Sequence, residues 1–214
     1  MNEQARIKRA AHMIQHAGRI AVLTGAGVSA ESGVPTFRTA QTGLWEQYDP
    51  QQLATPQAFA RDPKLVWDWY THRREVARGA QPNAGHVALA EIGARYPETV
   101  VITQNVDDLH EQAGSHDVIH LHGNIAENKC SADCQGAPTL IDITQLEWDR
   151  DAGPPSCPHC GASVRPNVVW FGEQLPMDRI ERAYQISQMC DLMLVVGTSG
   201  IVTPAAMLPS VAKQ

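Results

Sequence analysis

Four cysteines fall in two close pairs, Cys130-x3-Cys134 and Cys157-x2-Cys160, with the 22 residues 135 to 156 between them. Thiolate pairs at these spacings complete a tetrahedral zinc site, and four protein ligands leave no open position for water or substrate. The chemistry expected is one structural Zn2+; a redox pair and buried packing thiols are the other readings of the same residues. His159, between the cysteines of the second pair, reads as a solvent-facing loop residue, and Cys190 as a buried small hydrophobe in a helical stretch.

A second set is Gly25-x-Gly27-x-x-Ala30, directly after the apolar run Arg19 to Leu23. Glycines after a strand let backbone N–H groups approach a pyrophosphate at a helix N-terminus. A tight turn alone would also account for them. About 20 residues on, where a dehydrogenase would place a ribose-binding carboxylate at a strand end, Glu46 and Asp49 stand in an irregular segment instead.

Two polar groups follow apolar runs of strand length. Thr103-Gln104-Asn105-Val106-Asp107-Asp108-Leu109-His110 follows Thr99 to Thr103, and His120-Leu121-His122-Gly123 follows Val118. Polar residues at the C-terminal ends of strands lie where open α/β sheets bind ligands, and amides with carboxylates suit a ribose and a carboxamide. Helix capping by Asn105 or Asp107 is the plainer alternative. Strand alternation puts His120 and His122 on one face, and an imidazole beside a polar cluster is a candidate general base.

The elements that must position these residues alternate. An amphipathic helix over residues 3 to 17 places Ile7, Ala10, Ala11, Ile14 and Ala17 on one side and ends at Gly18. Strand-length runs at 19–23, 99–103, 118–121 and 192–196, with helical patterns between most of them, predict a parallel α/β sheet. Gly33 to Pro56 lacks periodicity and reads as a long functional loop before the helix that holds Leu65, Val66, Trp69 and Val76. Residues 124–167, with all the paired cysteines and five prolines, are expected to supply no conventional sheet strand and to form an inserted zinc module.

With 214 residues and 43% hydrophobic content, one substantial core and one small accessory module are expected. A net charge of −6 with no Lys/Arg block gives nucleic-acid binding no electrostatic source, so no direct nucleic-acid partner is expected. No segment has the ~20 apolar residues of a membrane span or a signal-peptide core, so no membrane association is expected and the location read from the sequence is cytoplasmic.

Gly25-Ala26-Gly27-Val28-Ser29-Ala30-Glu31-Ser32-Gly33-Val34-Pro35-Thr36-Phe37-Arg38, then Thr103-Gln104-Asn105-Val106-Asp107, then His122-Gly123 closely resemble, in order, the signature of the sirtuins. The two cysteine pairs, Val168-Val169-Trp170-Phe171-Gly172-Glu173 and Gly197-Thr198-Ser199 resemble that family's zinc site, substrate-binding strand and second ribose loop. The resemblance implies a Rossmann-like NAD-binding domain of residues 1–123 and 168–214 with a zinc-binding module at 124–167. It implies an NAD-consuming protein-lysine deacylase in which the acyl oxygen attacks the nicotinamide ribose. His122 would be the general base; Asn105 and Asp107 would hold nicotinamide and ribose, and Gln104 the ribose. Gly25, Ala26, Gly27, Ala30, Thr36, Gly197, Thr198 and Ser199 would line the cofactor, Phe37 would shield the sugar and Arg38 would lie near the phosphates. Acylated protein lysines would be the partners, paired as a strand against Val168 to Gly172.

Tyr70 and Arg73, three apart in a helical pattern, resemble the Tyr-x-x-Arg pair of sirtuins that remove succinyl, malonyl and glutaryl groups, and Ala54 resembles that subclass's small channel residue. A guanidinium grips a distal carboxylate bidentately. The alternative is a solvated Arg73-Arg74-Glu75 face. The chain ends at Gln214 after a helical pattern at 204–212, whereas sirtuins continue into a further strand and an adenine-contacting loop. The domain is therefore expected to be incomplete at its C-terminal end, with a sheet edge uncovered. Two other classes stand beside the enzyme: a non-catalytic NAD or ADP-ribose binder, and a protein ADP-ribosyltransferase.

Overall fold

The computed structural model describes residues 2–35 and 48–213. Strands β1 (Ile20–Thr24), β2 (Thr99–Thr103), β3 (Val118–His120) and β6 (Leu192–Val196) form a parallel sheet in the order β3-β2-β1-β6. In β1 all five residues are buried, as in a strand covered on both faces. On one side, Ala21, Leu23, Ile102 and Ile119 pack with Ile180 and Ala183 of helix α7 (Met177–Met189). On the other, Ile20, Val22 and Val101 pack with Leu89 of helix α5 (Ala84–Arg95) and Ile14 of helix α1 (Glu3–His16). The register pairs Thr24 with Thr103 and Val196, so the strands end level and their following loops meet at one edge. Strand β6 lies at the end of the sheet order with its side chains half-buried or exposed.

The expected loop from Gly33 to Pro56 contains a short helix, α2 (Pro50–Leu53), capped by Asp49, before α3 (Pro56–Arg61), capped by Thr55. Helix α4 (Pro63–Gly79) follows and buries Val66, Trp69 and Tyr70 against Phe59, Val168 and Trp170.

The segment 124–167 departs from its reading at both ends. Strand β4 (Gly123–Cys130) pairs antiparallel with β5 (Val164–Val168) as a separate two-stranded ribbon, and the register shifts between Asn124 and Asn128. Pro166 sits within β5 opposite Asn128; a two-stranded ribbon tolerates it because each strand has an unpaired edge. Trp67, on α4, packs with Cys130, Ile141, Cys157 and Val164, which fastens the cysteine loops to that helix. Cys190 caps α7 rather than lying within it and is half-buried, and His159 is exposed, as expected. No described helix is long and apolar enough to cross a membrane.

Candidate active site and metal centre

A cavity of about 610 Å³ opens at the C-terminal edge of the parallel sheet. Among the residues lining it are Gly25, Ala26, Gly27, Gln104, Asn105, Asp107, His122, Gly197, Thr198 and Ser199. Ala54, Tyr70, Arg73, Val168, Val169, Trp170, Phe171 and Gly172 line it as well. The residues named in the sequence for cofactor and for substrate thus share one chamber. Ala30 is exposed and does not line it. Thr36, Phe37 and Arg38 lie outside the described residues.

The glycine loop is built for close backbone packing. The Gly25 amide donates to the Val196 carbonyl at 3.3 Å and the Gly27 amide to the Gly197 carbonyl at 2.8 Å. A Cβ on Gly27 would lie 2.7 Å from the Gly197 oxygen, and one on Gly197, whose φ is +61°, would lie 2.2 Å from the Val28 nitrogen. Those two amides are therefore bonded within the protein, and the missing side chains let the loops after β1 and β6 touch. Gln104 ties the same loops, donating Nε2–H to Thr198 Oγ1 at 2.9 Å.

His122 Nδ1 lies 2.9 Å from the Gln104 carbonyl oxygen. A carbonyl only accepts, so Nδ1 carries the proton and the Nε2 lone pair is left as a base. Burial lowers the imidazole's pKa, partly opposed by the Gln104 carbonyl. Gly123, with φ +81°, turns the chain immediately afterwards, where a Cβ would fall 2.1 Å from the Asn167 oxygen. His120 is used differently. Its Nδ1 lies 3.1 Å from the Asn105 oxygen and its Nε2 2.6 Å from Glu111 Oε1. Burial pushes its pKa down, but the bond to Glu111 and that residue's charge outweigh it, so the pKa is raised. Of the two histidines, only His122 is a neutral base at the cavity.

Beneath Asn105 lies a polar cluster that the sequence reading passed over. Asn105 Nδ2–H donates to Ser29 Oγ at 2.9 Å, and His86 Nε2 stands 3.4 Å from the same oxygen. The Asn83 amide donates to His86 Nδ1 at 3.3 Å, which puts the imidazole proton on Nε2. Asp107 is buried, which raises its pKa, while the Leu109 amide and the Ser29 hydroxyl hold it down. Asp107 Oδ1 accepts from Leu109 N–H at 3.3 Å, the first amide of the short helix α6 (Leu109–Gln112), whose N-cap residue is Asp108. The Asn83-x-x-His86 capping box at the start of α5 was the available signal: a histidine at that helical position is held facing the site.

Tyr70, in the same cavity, is 2% exposed and its hydroxyl accepts from Trp170 Nε1–H at 2.9 Å. Burial raises the Tyr70 pKa against the opposing charge of Arg73, so the phenol keeps its proton. Arg73 stacks 4.8 Å from the Trp69 ring centre. Ala54 is buried, and its carbonyl accepts the Phe171 amide at 2.9 Å while the His122 carbonyl accepts that of Val169 at 2.9 Å. Residues 169–171 are thus held beyond the end of β5 by bonds to His122 and Ala54.

The thiol sulfurs of Cys130, Cys134, Cys157 and Cys160 all lie within 4.8 Å of one another, with Cys130 and Cys160 at 3.5 Å and Cys134 and Cys157 at 3.9 Å. Four sulfurs about 2.3 Å from a tetrahedral zinc stand roughly 3.8 Å apart. The donor set fits a structural zinc, and none of the four cysteines lines the chamber.

The Sir2 family model matches residues 25–204. An NAD-dependent protein deacylase 1 of Pseudomonas aeruginosa is 52% identical over 204 residues, 94% of this chain and 81% of that protein. An NAD-dependent protein deacylase of Aquifex aeolicus is 51% identical over 195 residues, 91% and 79% of the two chains. Among solved structures, a Sir2 homologue in complex with NAD superimposes with a TM-score of 0.85 at 46% identity, covering 97% of this chain and 78% of that one. A Sir2 complex with a p53 peptide and NAD+ has a TM-score of 0.82 at 32% identity, covering 97% and 82%. With its glycine loop, base and cysteine cluster set on that fold, the chain belongs to the Sir2 family, the sirtuins.

Proposed function

We propose that this chain is an NAD-dependent protein-lysine deacylase that removes acetyl groups and, through Tyr70 and Arg73, succinyl and malonyl groups, releasing nicotinamide and 2'-O-acyl-ADP-ribose. The observation that carries the reading is the single chamber in which a neutral His122, the amide and carboxylate of Asn105 and Asp107, and the Tyr70–Arg73 pair all face one space. Names and complexes of the relatives support NAD as co-substrate and an acylated protein as the substrate. NAD supplies the electrophilic ribose carbon and its leaving group. The protein's part is placement and proton transfer.

His122 takes a proton from a ribose hydroxyl at Nε2, and the Gln104 carbonyl steadies the Nδ1–H that remains. Asn105, fixed by Ser29, and Asp107, fixed by Leu109, hold nicotinamide and ribose. Thr198, with Gln104 bridged to it, and the neighbouring Gly197 and Ser199 border the sugar. The acyl-lysine enters past Ala54 with its peptide along residues 168–172. The amides of Val169 and Phe171 are already bonded inside the protein, so peptide pairing there uses carbonyl acceptors. Two donors, phenol and guanidinium, meet the distal carboxylate of an acidic acyl group.

The reading divides the chain into an NAD-binding domain of residues 1–123 and 168–214 and a zinc module of residues 124–167. Five free thiols, four of them gathered as ligands, fit a reducing cytoplasmic compartment. The test is nicotinamide release with an acyl-lysine peptide: peptide-dependent release in the wild type, lost in His122→Ala, supports it. NAD binding without release places the chain among non-catalytic binders.

A further inference from the structure

The bond between Trp170 and Tyr70 has only one possible direction. An indole nitrogen carries a proton and no acceptor lone pair, so Trp170 donates and the Tyr70 oxygen accepts, at 2.9 Å between side chains that are each 2% exposed. The phenol's own proton is left to be donated elsewhere, and no acceptor for it occurs among the described residues. Arg73, whose guanidinium carbon is 5.5 Å from the Tyr70 ring centre, holds only donors and cannot take it.

Trp170 is held in turn. The Arg165 guanidinium lies 3.2 Å from the Trp170 ring centre, and Arg165 grips both carboxylate oxygens of Glu173, at 2.5 and 3.0 Å. Glu173 Oε2 also accepts the Trp170 backbone N–H at 2.8 Å. Ring face, ring edge and backbone of Trp170 are thus all constrained, more than packing of an indole requires.

We propose that Trp170 is a positioning residue for acyl selectivity: by occupying the acceptor side of the Tyr70 hydroxyl, its indole N–H aims the phenol proton into the cavity, toward the carboxylate of an acidic acyl group. The Arg165–Glu173 pair holds the indole in that pose. The inference rests on the acidic-acyl reading of Tyr70 and Arg73 given above. Rotation of an unanchored phenol away from the carboxylate forfeits one hydrogen bond.

The readout is the ratio of kcat/KM for matched succinyl-lysine and acetyl-lysine peptides in the wild type, Trp170→Phe, Tyr70→Phe and the double variant. Phenylalanine keeps a ring over Arg165 and removes the donor together with the indole's five-membered ring, and the Tyr70→Phe background separates the lost bond from the lost volume. Loss of one hydrogen bond predicts a fall of about 5-fold in the ratio for Trp170→Phe, and no further fall when Trp170→Phe is added to Tyr70→Phe. A purely structural Trp170 would leave the ratio unchanged, or lower it equally in the Tyr70→Phe background; either result overturns the inference. A wild type that deacetylates but never desuccinylates overturns the acyl reading beneath it, and does so before any substitution is made. If Trp170→Phe does not fold, Glu173→Gln loosens the same clamp, and the ratio must fall with Tyr70 present and hold without it; a ratio that does not respond overturns the proposal.

Discussion

Arg73 and Arg74 are neighbours in the chain that send their guanidinium groups to different places. Arg73 lines the active chamber beside Tyr70, whereas Arg74 is buried and donates Nε–H to the Ile125 carbonyl at 2.7 Å and Nη2–H to Asn128 Oδ1. Successive helical residues point about 100° apart, so α4 can serve the chamber on one side and the base of the cysteine ribbon on another. Burial, and then the charge of Arg78, lower the Arg74 pKa to about 10, still charged at neutral pH. The solvated Arg73-Arg74-Glu75 face considered from the sequence is not what forms.

The two arginines are predicted to fail differently. Arg73→Met removes charge-assisted hydrogen bonds worth about 1.5–3 kcal/mol, a loss of roughly 10- to 100-fold in kcat/KM for a succinyl peptide, with deacetylation retained. Arg74→Met leaves the Ile125 carbonyl and the Asn128 amide without their partner and costs about 2 kcal/mol of stability, read by urea unfolding, with no change in acyl preference.

His122 sets the acid side of the pH profile. Its pKa is lowered by burial, so the base is neutral above its ordinary value and is lost by protonation only as pH falls below about 6.5. The kcat/KM for deacylation should therefore rise with pH to a plateau, with a midpoint on the acid side of 6.5. His122→Ala should lower turnover by about 100-fold or more. A midpoint above 7 would assign the profile to another group.

His110 ties stability to pH. Its ring is fully buried, Nε2 is 3.0 Å from Thr24 Oγ1, and Nδ1 has no partner among the described residues. Burial, reinforced by His86, lowers its pKa to about 4. Above pH 6.5 it is neutral both folded and unfolded and contributes no pH dependence. Between 6.5 and about 4 only the unfolded chain takes the proton, so stability falls by up to about 3 kcal/mol. Thermal melting from pH 7.5 to 4.5 should show that fall, and His110→Asn should flatten it.

Zinc should be structural rather than chemical. Metal analysis of protein purified without chelator is expected to give about one equivalent, and chelation should unfold the cysteine loops that pack on Trp67. The melting temperature should fall, and Cys157→Ser should reproduce the effect. Less than half an equivalent would contradict the four-cysteine site.

The order of elements was legible because the apolar runs at 99–103 and 192–196 are continuous, and those strands form with the bounds read from the sequence. The cysteine spacing also sufficed, since four sulfurs at these intervals meet whatever ribbon carries them. Strands β4 and β5 were hidden by Pro166 and by a register shift that breaks alternation. The glycine loop is legible in the sequence, but its contact with the loop after β6 is not, because the partner of Gly27 is Gly197, 170 residues away, and no local pattern reports that contact. Tyr70 and Arg73 were visible as a helical pair; their third member, Trp170, was named only for its strand, since the donor on its ring edge meets Tyr70 through tertiary packing.

The most direct test is mass spectrometry of matched acetyl-lysine and succinyl-lysine peptides incubated with the protein, with and without NAD. Both acyl groups should be lost only when NAD is present, with one nicotinamide and one O-acyl-ADP-ribose formed for each group removed. Intact peptides in the presence of NAD, from protein that is folded and carries its zinc, would contradict the proposed deacylation.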